Sequence, residues 1–154
     1  MSLRKSLSNE GFTLPELMMS AMITVIAFMG ILYTYARYLE LDELSRTTGI
    51  ALQTVQNKIE AIKNTDFEDI YTTFNNQTFT TTGINGRGVT TIDNSNDHLM
   101  LITVTFCWRQ SNGRRMGEDT NLNGVLNSGE DANSNSLLDS PVQLIAYIYN
   151  EGTT

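Results

Sequence analysis

The chain has 154 residues, with 17 Asp and Glu against 10 Lys and Arg, a formal net charge of −7. That length suits one domain beside an N-terminal helix. The acidic balance excludes a surface of clustered Lys and Arg for neutralising phosphates, so no nucleic-acid partner is expected. A single cysteine, Cys107, excludes an intramolecular disulfide, and a single histidine, His98, excludes a histidine-based metal cluster.

Residues 1–11 read as a polar leader carrying Arg4, Lys5 and Glu10, a net of +1, so the remaining side chains carry −8. Gly11-Phe12-Thr13-Leu14-Pro15-Glu16 follows, and from Leu17 to Ala36 there are 20 residues without Asp, Glu, Lys, Arg or His. As an α-helix that run covers roughly 30 Å, the thickness of a bilayer's hydrocarbon core. Pro15 falls in the first turn, where its missing N–H costs little. Arg4 and Lys5 precede the span, so the leader is expected on the cytoplasmic side and the remainder outside. A secretory signal peptide is cut after its apolar region, which is then discarded. Here the small residue precedes the apolar run, so cleavage after Gly11 would keep that helix.

Beyond the exit marked by Arg37, Glu40, Asp42 and Glu43, apolar positions recur at spacings of three and four: Leu41, Leu44, Thr48, Leu52, Val55, Ile59 and Ile62. They predict one apolar helix face and a continuous helix from about 13 to 64, with a soft spot at Gly49. Asp66–Tyr71 reads as a short helix or turn. Phe79 and Val89–Ile92 carry weak strand signals, and Asn85-Gly86 is a two-residue turn signal. Leu99–Trp108 is the strongest strand, with Met100, Ile102, Val104, Phe106 and Trp108 on the core face. Cys107 in this run reads as a packed thiol and His98 as a surface or turn residue. Asn112-Gly113 predicts a tight turn into 114–116, residues 117–140 a polar loop, and Val142–Tyr149 the last strand, with Val142, Leu144, Ala146 and Ile148 inward. The expected fold is α+β: a long N-terminal helix packed, through its second half, on a small antiparallel sheet.

Gly11, Phe12, Leu14, Pro15 and Glu16, placed directly before a 20-residue apolar helix, resemble the class III leader of type IV prepilins and type II secretion pseudopilins. That resemblance implies a pilin-like architecture divided into a cleaved leader (1–11), a transmembrane and filament-core helix (12–37) and a globular head (38–154). It also implies cutting by prepilin peptidase between Gly11 and Phe12, N-methylation of the new amine, and pairing of Glu16 with the N-terminus of a neighbouring subunit. Partners would be the peptidase, other pilin or pseudopilin subunits, and the bacterial inner membrane before assembly. The chain would cross that membrane once and then enter a periplasmic or extracellular filament. On the residues alone, a carboxylate there also favours the positive end of the helix dipole.

The polar loop has its own pattern. Asp119, Asn121 and Asn123 place oxygen side chains at positions 1, 3 and 5 of a twelve-residue calcium loop. Gly124 allows the sharp turn at 6, Val125 offers its carbonyl at 7, Leu126 is the apolar residue at 8, and Glu130 stands at 12. Asp131, Asn133 and Asn135 restart the pattern, with Leu138 at 8 and Asp139 at 9. The second copy departs from it: Ser136 replaces the glycine, and Val142 stands where the bidentate acid belongs. Either it binds more weakly or Asp139 substitutes. With no flanking helix evident, the stretch resembles the calcium loops of dockerins and thrombospondin repeats, which implies Ca2+ as the cofactor.

There is no G-x-S-x-G elbow, P-loop or other catalytic constellation, so no enzymatic activity is expected. A minor pilin is the favoured reading, because the calcium-like loop and the missing disulfide fit a major pilin poorly. A type II secretion pseudopilin is the alternative. A membrane-tethered, calcium-dependent adhesion module without a filament is the reading from a different class.

Overall fold

A computed structural model describes residues 11–150; the leader residues Arg4, Lys5 and Glu10 lie outside the described residues. The first element, α1, is an α-helix over Leu14–Lys63, and it runs through Gly49 without interruption. The chain falls into two compact units that divide between Leu41 and Asp42.

In the first unit every described residue is exposed. Its side chains are mostly apolar, and by length and composition the helix could cross a membrane near the N-terminus. The hydroxyls within it are committed locally: Ser20, Thr24 and Thr34 each donate to the carbonyl four residues back, at 2.9, 2.8 and 2.9 Å.

The second unit is α+β. After α1 come α2 (Phe67–Phe74), β1 (Thr78–Phe79), β2 (Asn85–Asn96), β3 (Leu99–Arg109), β4 (Arg115–Met116) and β5 (Val142–Tyr149). β3 is the centre of an antiparallel sheet, with β2 along one edge and β5 and β4 sharing the other; β1 pairs with the outer edge of β2. Strict alternation in β3 puts Met100, Ile102, Val104, Phe106 and Trp108 into one core with Ile92 and Val142, closed by Ala51, Val55, Ile59 and Ile62 of α1 and Ile70 of α2. Leu144, Ala146 and Ile148 of β5 pack against it, as their spacing predicts.

The buried stripe of α1 is Thr47, Ala51, Val55, Ile59 and Ile62. This differs from the expected face in its first two turns, where Leu41 and Leu52 are exposed and Leu44 and Thr48 half-buried. The buried positions there, Thr47 and Ala51, carry smaller side chains than the leucines beside them. Near the same end Glu43 accepts hydrogen bonds from the Ser111 amide and hydroxyl at 2.8 and 2.6 Å. These bonds, the hydroxyl's first, hold the Glu43 carboxyl below its ordinary range.

Asn85-Gly86 is not a turn. Gly86 sits in β2 opposite Trp108, and Gly88 opposite Phe106. The chain reverses instead at Asp97-His98, between the paired Asn96 and Leu99, with His98 N–H donating to Asn96 Oδ1 at 2.9 Å. A Cβ on Gly86 would stand 2.6 Å from the Phe106 ring and 2.7 Å from the Cys107 carbonyl. The glycine therefore answers to the cross-strand aromatics rather than to a turn. Gly86→Ala is expected to destabilise the sheet unit by about 1–3 kcal/mol through overpacking. Denaturant unfolding followed by the fluorescence of Trp108, the sole tryptophan, measures this; a midpoint equal to wild type would refute it. Cys107 points to the opposite face, is buried, and burial pushes its thiol up, leaving it protonated and inert.

Candidate metal centre

The segment between β4 and β5 has no helix or strand, yet it is densely bonded. Asp119, 1 % exposed, accepts from Asn123 N–H at 3.0 Å and from Gly124 N–H at 2.6 Å. Asn121 Oδ1 accepts from Asn123 N–H, and Asn123 Oδ1 from Val125 N–H. These bonds between alternate residues curl the chain so that Asn121 and Asn123 both reach Asn127 Oδ1, at 3.2 and 3.0 Å. Gly124 takes a φ of +82°, where a glycine costs least, and a Cβ there would run into the Thr78 side chain of β1.

Glu130, 8 % exposed, closes the loop. Its Oε1 accepts from Thr120 N–H, Thr120 Oγ1 and Asn121 N–H, and its Oε2 from Asn127 N–H. The Thr120 hydroxyl foremost, together with the backbone amides, holds this carboxyl below the usual range against the opposing effect of burial.

The second copy, 131–140, curls in the same way. Asp131 accepts from Asn135 and Ser136 N–H at 3.1 and 2.9 Å. Asn133 Oδ1 accepts from Asn135 N–H and Asn135 Oδ1 from Leu137 N–H. Asn133 and Asn135 meet Asp139 Oδ2 at 2.7 and 2.8 Å. Ser136, in place of glycine, still adopts a φ of +62°. Hydrogen bonds thus join Asp119, Asn121, Asn123, Asn127 and Glu130 within the first copy and Asp131, Asn133, Asn135 and Asp139 within the second, while Val125 is exposed. Asp139 stands at the ninth position, where the first copy has Asn127, and Val142 is buried in β5.

The donor set fits a hard cation. It is all oxygen, mixing carboxylates, amide oxygens and the Val125 carbonyl, as calcium prefers. Among the described residues no group of three or more His, Cys, Asp or Glu could hold a metal, so the carboxylates are too few for a site built on acids alone. Among the described residues no ion pair involves Asp119 or Glu130. The ion pair among the described residues is Arg37–Glu40, outside the loop, and Arg109 reaches the Thr120 carbonyl rather than a carboxylate. Buried charge is ordinarily paired or bound to metal.

Two residues with parts in this arrangement were not among the expected ligands: Asn127, where the amides converge, and Glu118, which accepts from Ala132 and Asp139 N–H at 3.0 and 3.1 Å. The signal for the second was the repeated Gly-Glu-Asp at 117–119 and 129–131. The processing and assembly candidates Gly11, Phe12 and Glu16 lie at the start of the other unit, all exposed, with Glu16 in the first turn of α1. Compared with known protein families, curated proteins and solved structures, the chain matches none.

Proposed function

We propose that this chain is a structural subunit of a type IV pilus-like filament, a minor pilin, cut by prepilin peptidase between Gly11 and Phe12 and carrying a calcium-stabilised head. The observation that supports it most is the unpartnered apolar surface of α1, which begins directly after the Gly11–Glu16 motif. From Phe12 to Leu41 the large apolar side chains are at least half exposed. A surface of that extent needs lipid or other subunits around it. Among oxygen ligands, Asp119, Asn121, Asn123, the Val125 carbonyl and Glu130 would hold the first ion, and Asp131, Asn133, Asn135 and Asp139 belong to the second loop. The bound cation would supply the countercharge that the buried carboxylates lack.

Expression beside a prepilin peptidase, followed by intact-mass measurement, tests the reading. The mature chain is expected to begin at Phe12, and Gly11→Val is expected to leave the leader attached. An exported chain that still begins at Met1 or Ser2 would refute the filament reading and favour a tethered module.

A further inference from the structure

We propose that the outer edge of β5 binds an uncharged extended strand of another protein, which widens the sheet by one strand.

The edge follows from the direction of the backbone groups. Asn150 N–H donates to the His98 carbonyl at 3.0 Å, which fixes the phase of the ladder between β3 and β5. In an antiparallel pair, opposed residues alternate between bonded and non-bonded pairs. Leu144, Ala146 and Ile148 therefore bond to Val104, Ile102 and Met100. Gln143, Ile145 and Tyr147 turn their N–H and C=O groups away from β3, to a side where no strand lies. These backbone groups have no hydrogen-bond partner among the described residues.

The opposite edge of the sheet is closed. On β2 the outward residues include Gly88, Thr90 and Ile92. Gly88 pairs with Phe79 of β1. The Thr90 carbonyl accepts from Asn76 N–H at 2.8 Å, and its amide donates to the Gln77 carbonyl at 3.1 Å. The Ile92 amide donates to Asn75 Oδ1 at 3.0 Å. β5 has none of the usual protections of an edge, which are proline, charge and a bulge. It contains no charged residue and no proline, and its register with β3 is unbroken.

A row of outward donors and acceptors at every second residue is matched by another extended backbone. The side chains set the composition of that strand. Ile145 and Tyr147 are 59 % and 67 % exposed on one face, and Leu144, Ala146 and Ile148 are half-buried on the other. A bound strand therefore meets apolar side chains on both of its faces. The net charge of −7 opposes an acidic partner. A second copy fits poorly. β5 against β5 would be antiparallel about a two-fold axis normal to the sheet, which reverses the part of α1 packed on it, whereas chains inserted in one membrane share a direction. The β2 edge of a second copy is already occupied.

The test uses the full chain in detergent micelles and a synthetic peptide of the β5 sequence, residues 142–149, with lysines at each end. Amide hydrogen exchange, read by NMR, reports on the edge. Without peptide, the Ile145 and Tyr147 amides are expected to exchange on the order of 100-fold faster than those of Leu144 and Ala146. The peptide is expected to slow them, and the same peptide N-methylated throughout to leave them unchanged. Ile145→Pro removes an outward donor without touching the β3 ladder and is expected to abolish the slowing at Tyr147. Should that variant lose the near-ultraviolet circular dichroism of the fold, Ile145→Lys decides: it keeps every donor and is expected to weaken peptide binding by about tenfold through edge charge. Slow exchange at Ile145 and Tyr147 in the free chain would overturn the proposal. So would no slowing at millimolar peptide, equal slowing by the N-methylated peptide, or binding unchanged in the variants. A wild type that dimerises in micelles, and becomes monomeric in Ile145→Pro or Ile145→Lys, would also overturn it, because the occupant would then be a second copy.

Discussion

Chelating calcium is expected to lower the melting temperature of the sheet unit by on the order of 10 °C. A ligand that binds only the folded state stabilises it by RT ln(1 + [L]/Kd), about 2.7 kcal/mol at a hundredfold excess over Kd. For a domain of roughly this size, each kcal/mol moves the midpoint by about 4 °C. In the reading proposed above, the stabilisation would come from countercharge at Asp119 and Glu130, which are buried and bonded to backbone amides and the Thr120 hydroxyl. Trp108 is the natural reporter, being buried in the core and remote in sequence from the apolar helix. Asp119→Ala and Glu130→Gln are each expected to shrink the difference between calcium and chelator. Superimposable melting curves at matched ionic strength would mean that the backbone amides and the Thr120 hydroxyl suffice for the two carboxylates.

Phe106→Ala is expected to cost about 3–5 kcal/mol, the range for emptying an aromatic site in a packed core. Against a total stability of about 5–15 kcal/mol, that is a large share. The upper part of the range applies because little can move in to fill the space. Phe106 is fully buried, its cross-strand partners are Gly88 on β2 and Val142 on β5, and Gly86 lies beside it. The neighbouring rings, Phe79 at 6.0 Å and Trp108 at 6.5 Å between centroids, would lose their contact. The measurement is the urea midpoint, which should fall with an unchanged slope. A loss below 1 kcal/mol would show that Phe79 swings in to refill the cavity.

The strands with strict alternation were legible because a period of two assigns every side chain to a face. The core-facing side chains of Leu99–Arg109 and Val142–Tyr149 alternate as that period predicts, although Thr105 and Cys107 on the other face of β3 are buried as well. The helix stripe was harder to read, because hydropathy favours Leu52, which is exposed, over the smaller Ala51, which is buried. Asn85-Gly86 misled for a related reason: a glycine that makes room for Phe106 and Trp108 has the same local signature as one that makes a turn. At the loop, the bonds that curl the chain follow the alternate spacing of Asp119, Asn121 and Asn123. The bonds from Ala132 and Asp139 N–H to Glu118 were not legible, because they join residues far apart in sequence.

The hydroxyl bonds within the first half of α1 bear on how such helices could slide past one another. Between Pro15 and Tyr33 the polar side chains are Glu16, Ser20 and Thr24, and the two hydroxyls are already bonded to their own backbone. Polar side chains that could otherwise join helices are thus spent locally. An apolar rod of this kind, surrounded by others like it, meets little resistance to axial displacement beyond the fit of its side chains. Glu16 alone carries a charge whose energy depends steeply on what lies level with it. In the filament reading proposed above, one carboxylate at one end would act as the axial stop, setting the height of each rod while shape would set its rotation.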